Sequence, residues 1–334
     1  MRINKGKITV LFLASIVLVV LTIIACMTFG ATDMDIGNAV KALMSGDFEN
    51  VDFRIFFFVR FPRCIGAVLS GLSLAVSGVL IQAVLNNPMA SPNIIGVNSG
   101  AGFAVILTVS LYPDFLALIP FSAFLGAFIA CLLIFFIARH TAAGIVTITL
   151  VGIAVTSILN AAINALKTIF PESVYNFTSF SVGGLAGVNF AVLRYVAPVI
   201  ILCFVLSVLI SRNTDILCLG EQTASGIGMN VAGQRFLHLI LASALAGCAV
   251  SFAGLLGFVG LVVPHIVRVF TGNRHILLIP LAGIFGAEFV LICDLFCRFV
   301  FRPYEVPVGI ILSFIGGAFF IFLILTRRKG RIYD

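Results

Sequence analysis

Long stretches without a charged side chain are the feature that most limits how this 334-residue chain can fold. The longest runs from Cys64 to Pro113, and several others approach or exceed the about 20 residues that a helix needs to cross a bilayer. These others are Ile8 to Thr32, Phe115 to Ala138, Thr141 to Leu166, Tyr195 to Ser211, Phe236 to Val267 and Val306 to Thr326. Hydrophobic residues make up 61% of the chain and charged residues 10%, a balance that excludes a water-soluble domain of this size.

Two of these runs are too long for one helix. The first contains "NNPMASP" (86–92), whose residues are costly against lipid but common in turns, so it should form two helices. The run from Phe236 divides in the same way near residues 257–260, and residues 276–298 add another span. The sequence therefore predicts an all-α, polytopic integral membrane protein with about ten transmembrane helices, which form a single domain over residues 1–334.

The basic residues set the expected orientation, because inner loops of membrane proteins are enriched in lysine and arginine. An even number of spans places both termini in the cytoplasm and leaves residues 33–62 as an outer segment before helix 2. Residues 212–235 are then the most polar stretch on the inner face. Among the basic residues that remain on the outer face against this rule is a cluster of five arginines: Arg54, Arg60, Arg63, Arg298 and Arg302. They indicate either docking of an acidic partner or the anchoring of helix ends at lipid head groups.

No sequence pattern indicates covalent chemistry or a metal site. The eight cysteines lie mostly inside apolar runs without metal-type pairing, so they are expected to serve packing. The chain contains no Gly-Lys-Ser/Thr phosphate loop, no His-Glu-x-x-His helix and no interpretable serine–histidine pair. A transport protein that is not itself an enzyme is therefore favoured, driven either by ions passing buried acids or by a separate motor.

Two acidic residues bear on the ion-driven alternative, since a charge at the centre of a membrane helix costs about 2.5 to 3.5 kcal/mol and is usually functional. Asp294 lies one helical turn before Arg298 and is predicted to pair with it. Glu288 lies deeper and keeps an ion-coupled secondary transporter open. A membrane-embedded structural or receptor protein without transport is a third alternative.

The motor alternative is favoured by the polar stretch 212–235. Within it, "LGEQTASGIG" (219–228) is predicted to form a short amphipathic helix that ends at glycine. Such a helix can seat in a groove of a soluble protein.

Six motifs occur in order along the chain. They are "RFPR" (60–63), "GLSLAVSGVLIQAVLNNPMASPNIIGVNSGAG" (71–102), "LGEQTASGIG" (219–228), "GFVGLVVPHIVR" (257–268), "CDLFCR" (293–298) and "YEVPVGI" (304–310). Together they closely resemble the FecCD family of ABC-transporter permeases, over nearly the whole chain. The resemblance implies the permease subunit of a binding-protein-dependent ABC importer that moves a ferric siderophore, with haem or cobalamin as alternative cargo.

The resemblance also implies roles for individual residues. Docking of the substrate-binding protein falls to Arg60, Arg63 and Arg298. A gate at the cytoplasmic end of the pathway falls to Asn87, Pro88 and Met89, with a second constriction at Thr141, Ala142 and Ala143. Coupling to the ATPase falls to Leu219, Gly220, Glu221, Ala224, Gly226 and Gly228.

The implied assembly lies in the bacterial cytoplasmic (inner) membrane. Its partners are a second copy of this permease or a homologue, two ATPase subunits, and a periplasmic or lipid-anchored substrate-binding protein, with no nucleic acid. We expect no cofactor or metal on this subunit, since ATP and Mg²⁺ belong to the ATPase. The chain departs from the family pattern after the fifth helix, where it reads "NFTSFSVGGLAG" (176–187) and lacks the usual Trp and Gly-Ser pair. Glu288 stands where a small or apolar residue is expected.

Overall fold

The computed structural model describes residues 5–30, 32, 34–140, 145–302 and 304–329. In these ranges helices form the whole regular structure, so the predicted all-α fold is confirmed. The helices are α1 (Lys5–Thr28), α2 (Ile36–Ser45), α3 (Val51–Arg54), α4 (Phe61–Val84), α5 (Val97–Leu111), α6 (Ile119–His140), α7 (Ile145–Ile169), α8 (Val174–Val182), α9 (Phe190–Leu209), α10 (Ser211–Leu217), α11 (Glu221–Gly226), α12 (Val231–Ala253), α13 (Val259–Thr271), α14 (His275–Val300) and α15 (Val308–Lys329).

Eight helices in the described ranges are long and apolar enough to cross a membrane. The predicted number of about ten spans is reached by adding α5 and α13, which are apolar helices of 15 and 13 residues. A π-helical segment, Ile55–Arg60, joins α3 directly to α4.

The two predicted breaks are both present. Between α4 and α5 the backbone turns at Asn86, which has a φ of 41°, and continues through a short 3-10 helix at Pro92–Ile95. Between α12 and α13 the chain turns at Gly254 and Phe258, with φ of 69° and 64°. A left-handed backbone cannot continue an α-helix, so these residues divide each long apolar run into two helices.

Helix α4 lies at the centre of the bundle, and its neighbours include α14, α12 and α13. In the most apolar part of the span Val51–Val84, which ends with α4, 83% of residues are buried, compared with 22% for the spans of α1, α7 and α9, which therefore lie on the outside. Glycines allow the central helices to approach closely: a Cβ on Gly71 would overlap the carbonyl oxygen of Gly286, and one on Gly78 would overlap that of Gly260. Close backbone contact through small residues is the usual way in which membrane helices pack.

Successive spans run in opposite directions, so residues that are distant in sequence meet at the two ends of the bundle. We call the end that contains Arg60, Arg63 and Arg298 the arginine end. The rings of Phe61 and Phe190, 5.9 Å apart, bring the starts of α4 and α9 together there. The 85–96 turn and the segment 212–235 therefore lie at the opposite end.

Candidate functional sites at the two ends of the bundle

A buried carboxylate organises the arginine end. Asp294 on α14 is 1% exposed and forms ion pairs with Arg63 of α4 at 2.9 Å and with Arg298 of its own helix at 3.0 Å. The predicted pairing of Asp294 with Arg298 is therefore confirmed. Arg63 also pairs with Glu305, in the loop before α15, at 2.7 Å. One carboxylate thus joins α4 to α14, and Arg63 extends the connection to α15.

The end of α1 is held by Arg60 and by Arg298. Arg60 donates hydrogen bonds to the carbonyl oxygens of Met27 at 2.7 Å, Thr28 at 2.8 Å and Thr32 at 2.7 Å. The last carbonyls of a helix have no partner within it, so a guanidinium is a favourable cap for them. Arg298 adds a bond of 3.3 Å to the carbonyl oxygen of Cys26.

The three arginines assigned to docking are therefore not displayed on the surface in this structure. Arg60, Arg63 and Arg298 are 3%, 5% and 2% exposed, and each is engaged by groups of its own chain. The most accessible part of the cluster is Glu305, whose side chain is 37% exposed. To contact a binding protein directly, these arginines would have to exchange an internal partner or share it. Their docking role stays a prediction.

At the opposite end, the turn assigned to the gate is tied to the helix core. The backbone N–H of Met89 donates to the side-chain oxygen of Asn87 at 2.9 Å, which fixes the turn locally. Buried Gln82 donates to the carbonyl oxygens of Ala90 and Gly260, both at 3.2 Å, and accepts a bond from Arg268 of α13.

The gate residues themselves differ in their exposure. Asn87 is exposed, whereas Pro88 and Met89 are half-buried. Gln82 and Arg268, which support this turn, were not singled out from the sequence because nothing in their spacing links them. The second predicted constriction, Thr141, Ala142 and Ala143, lies outside the described residues.

The segment 212–235 contains most of the short helix α10, all of α11 and the first residues of α12. The predicted helix within "LGEQTASGIG" is present as Glu221–Gly226, between turns at Gly220 and Gly228 that have φ of 95° and 87°. Ala224 faces inward and is fully buried, whereas Leu219 and Ile227 are 60% and 62% exposed. Large apolar side chains are therefore exposed on both sides of α11.

Buried polar contacts fix these short helices to the long ones. Asp215 of α10 accepts hydrogen bonds from the backbone N–H of His275 at 3.0 Å and from its ring Nδ1 at 2.6 Å. His275 is the first residue of α14. The contact therefore joins α10 to the helix that carries Asp294 and Arg298 at its other end.

Two further contacts connect the segment to α12. Thr214 lies 2.8 Å from Nε2 of His238, whose Nδ1 is held by the carbonyl oxygen of Gln234 at 2.7 Å. Glu221 of α11 pairs with Arg235 at 3.0 Å. The sequence did not reveal these pairings. The only sign of them in the sequence is that polar residues lie next to an apolar helix.

Glu288 makes a structural contact between α14 and α1. The Thr22 hydroxyl donates to Oε1 of Glu288 at 2.7 Å, and Glu288 is 8% exposed. Within the described ranges its other oxygen, Oε2, has no hydrogen-bond partner. Glu288 therefore holds α1 against α14.

The cysteines are placed as packing residues. All eight are free thiols, and all are buried except Cys218, which is half-buried. Desolvation by burial raises the pKa of the Cys218 thiol to about 11, so this group stays protonated at neutral pH. The described residues contain no group of three or more His, Cys, Asp or Glu side chains arranged to hold a metal ion.

Comparison with known proteins agrees with this architecture over nearly the full length. The sequence profile of the FecCD transport family matches residues 17–326. The chain is 32% identical over 329 residues to the Fe(3+)-citrate import system permease protein YfmE of Bacillus subtilis, and the match covers 98% of both chains. It is also 32% identical over 337 residues to the hemin transport system permease protein HmuU of Yersinia pestis, covering 98% of this chain and 99% of that one.

A solved structure has the same fold. It is described as an inward-facing conformation of a metal-chelate type ABC transporter and matches with a TM-score of 0.84 at 26% identity. The match covers 95% of this chain and 99% of that chain.

The buried cluster yields a stability prediction. Asp294→Ala leaves Arg63 and Arg298 buried without their shared carboxylate, a loss expected to destabilise the fold by about 3 to 5 kcal/mol. We expect a large fall in the apparent Tm of the purified, detergent-solubilised protein, or little folded protein. Glu49→Ala is the control, because its ion pair with Arg54 spans 3.8 Å between side chains that are 93% and 62% exposed. Such a pair contributes about 0 to 1 kcal/mol. Equal effects of the two substitutions would contradict the structural role of Asp294.

Proposed function

Because the chain belongs to the FecCD transport family and is the permease subunit of an ABC importer, we propose that it moves a ferric siderophore across the bacterial cytoplasmic membrane. The observation that carries this proposal is the near end-to-end match with permeases named for ferric citrate and for hemin, both of which are iron compounds. Haem is therefore the main alternative cargo, and cobalamin is a further one. ATP hydrolysis takes place on a separate subunit.

We further propose an orientation and an assembly. The arginine end faces outward towards a periplasmic or lipid-anchored substrate-binding protein, and both termini and the segment 212–235 face the cytoplasm. The basic C-terminal residues support this orientation. A second copy or a homologous permease completes the central pathway, two ATPase subunits bind from inside, and ATP with Mg²⁺ is bound there.

Docking at the arginine end is proposed to involve carboxylate exchange. Glu305 is the partly exposed partner of Arg63, so an acidic residue of the binding protein can replace it while Asp294 keeps Arg63 in place. Arg60 and Arg298 hold the end of α1, and their contribution is to shape the docking surface and supply positive charge beneath it.

Coupling at the opposite end is proposed to use the surface formed by Leu219, Ile227 and helix α11. Movement of the bound ATPase is transmitted to α14 through Asp215 and His275, and to α12 through Thr214 and Glu221. The turn at Asn87, Pro88 and Met89 lies at the same end, and Gln82 and Arg268 connect it to α4 and α13. It is the proposed inner gate.

The cargo is tested by uptake. In a strain deleted for this gene we expect loss of uptake of one ferric siderophore from a panel presented with radioactive iron, because the pathway for that cargo is missing. Haem and cobalamin uptake are measured alongside, and the intact gene on a plasmid should restore the lost activity. Normal iron uptake with lost haem or cobalamin uptake would show that haem or cobalamin is the cargo instead of a ferric siderophore. Normal uptake of every compound would contradict the proposal.

Docking is tested with Glu305→Gln. Removing this carboxylate frees one side of Arg63 for the binding protein, so we expect the Kd of the purified binding protein for the permease complex to fall on the order of tenfold. Glu49→Gln removes the same charge from an exposed residue and is the matched control. An equal change in both variants would show a general charge effect and contradict the role of Arg63.

Coupling is tested by co-purification of the ATPase. The double substitution Leu219→Glu with Ile227→Glu should release the ATPase from solubilised membranes, because it places charge on the apolar contact surface. Asn38→Glu with Ser45→Glu adds the same charge at exposed polar positions of α2, outside the coupling surface, and should retain it. Retention of the ATPase by both double variants would contradict the coupling surface.

A further inference from the structure

A large apolar groove opens on the side of the bundle at the arginine end. Its volume is about 1600 Å³, and it lies between the first turns of α6 and α9, with the last turns of α12 and helix α8 also lining it. Apolar and aromatic side chains dominate its wall, among them Phe121, Phe124, Tyr195, Val199 and Phe252. We call it the α6–α9 groove. Apart from Arg63 and Glu305 at its edge, its lining residues have no part in the docking, gate or coupling proposed above.

The depth of the groove matches one leaflet of a bilayer. Its lining on α9 extends from the first turn of the helix to Val199, nine residues after Phe190, which corresponds to about 13 Å at 1.5 Å per residue. One leaflet of the hydrocarbon core measures about 15 Å, half of the usual total. The groove therefore begins at one membrane surface and ends near the bilayer centre.

Tyrosines mark the arginine end as a membrane–water interface. Of the five tyrosines in the chain, the four in the described part all lie at this end and are 55% to 81% exposed. They are Tyr112, Tyr175, Tyr195 and Tyr304. Exposed tyrosines collect at the level of the lipid head groups, so the mouth of the groove lies at head-group height.

A positively charged side chain, that of Arg194, lies at this mouth. The guanidinium of Arg194 lies 4.6 Å from the centre of the Tyr195 ring, a cation–π contact that orients it beside the groove. Within the described ranges no acidic side chain forms an ion pair with Arg194, whereas the other charged residues of the lining, Arg63 and Glu305, pair with each other at 2.7 Å. The positive charge of Arg194 is therefore available to a group from outside the chain.

We propose that the α6–α9 groove binds a single anionic phospholipid, with one acyl chain in the groove and its phosphate group on Arg194. The apolar wall supplies the burial of the acyl chain, and the arginine adds a charge-assisted contact with the phosphate. The site rests only on the membrane-spanning fold, so it does not depend on the identity of the cargo.

The absence of tryptophan from the sequence gives a direct test. Phe252→Trp places one fluorescent residue in the groove, and Leu13→Trp places one on the exposed face of α1, where Leu13 is 60% exposed. Each variant is purified as the full chain and reconstituted in vesicles that contain phosphatidylglycerol or phosphatidylcholine brominated in the acyl chains. Bromine quenches tryptophan only on close approach, so quenching reports lipid at each position.

In the Phe252→Trp variant we expect quenching to reach half its maximum at about a fivefold lower fraction of brominated phosphatidylglycerol than of brominated phosphatidylcholine, since one arginine gives roughly that preference for an anionic lipid. Leu13→Trp should show equal curves for the two lipids. Adding Arg194→Gln to the Phe252→Trp variant should abolish the preference, whereas adding Arg54→Gln, an exposed arginine outside the groove, should leave it.

Three results would overturn the proposal. Equal curves for the two lipids in the Phe252→Trp variant would show ordinary boundary lipid. No quenching at this position, with normal quenching at position 13, would show that another chain segment or a second copy fills the groove. A preference for phosphatidylglycerol that persists in the Arg194→Gln variant would show that the phosphate group does not bind Arg194.

Discussion

The ion pairs of Asp294 are the interaction on which the arginine end depends. A buried guanidinium is tolerated only with a partner, and one carboxylate serves both Arg63 and Arg298. Through these pairs α4, the most buried helix, is fixed to α14, while Glu305 and the carbonyls bound by Arg60 bring in the start of α15 and the end of α1. If a binding protein docks at this end as proposed, the surface that it meets is set by charges that are themselves inside the fold.

Helix α14 connects this cluster to the other end of the molecule. It begins at His275, which is held by Asp215 of the segment 212–235, and it carries Asp294 and Arg298 near its C-terminus. Between these points it touches α4 backbone to backbone at Gly71 and Gly286, where no side chain separates the helices. If the segment couples to an ATPase as proposed, α14 and α4 move together, so displacement at one end reaches the arginine cluster without a flexible intermediate.

The sequence predicted those features that depend on local composition. Charge-free runs gave the membrane spans, "NNPMASP" and the 257–260 glycines gave the breaks near the observed turns, and a spacing of four residues gave the Asp294–Arg298 pair. Features that depend on distant partners were not predictable. Arg60 and Arg63 were expected on the surface, because nothing local reveals that the acceptors of Arg63 lie 231 and 242 residues away. For the same reason the sequence did not reveal the contacts of Asp215 with His275 and of Thr22 with Glu288. Glu288 is the acid that had left an ion-coupled mechanism open.

The most direct test of the account is cargo accumulation in proteoliposomes that contain this permease, its ATPase and its binding protein, with ATP supplied and a protonophore present. An ABC importer in which Glu288 only holds α1 should accumulate the ferric siderophore at an unchanged rate with the protonophore, and only with ATP. The Glu288→Gln variant should behave in the same way, since the amide oxygen can still accept the hydrogen bond from Thr22. Accumulation that stops with the protonophore while ATP remains, or that is lost in Glu288→Gln protein of normal stability, would contradict the account.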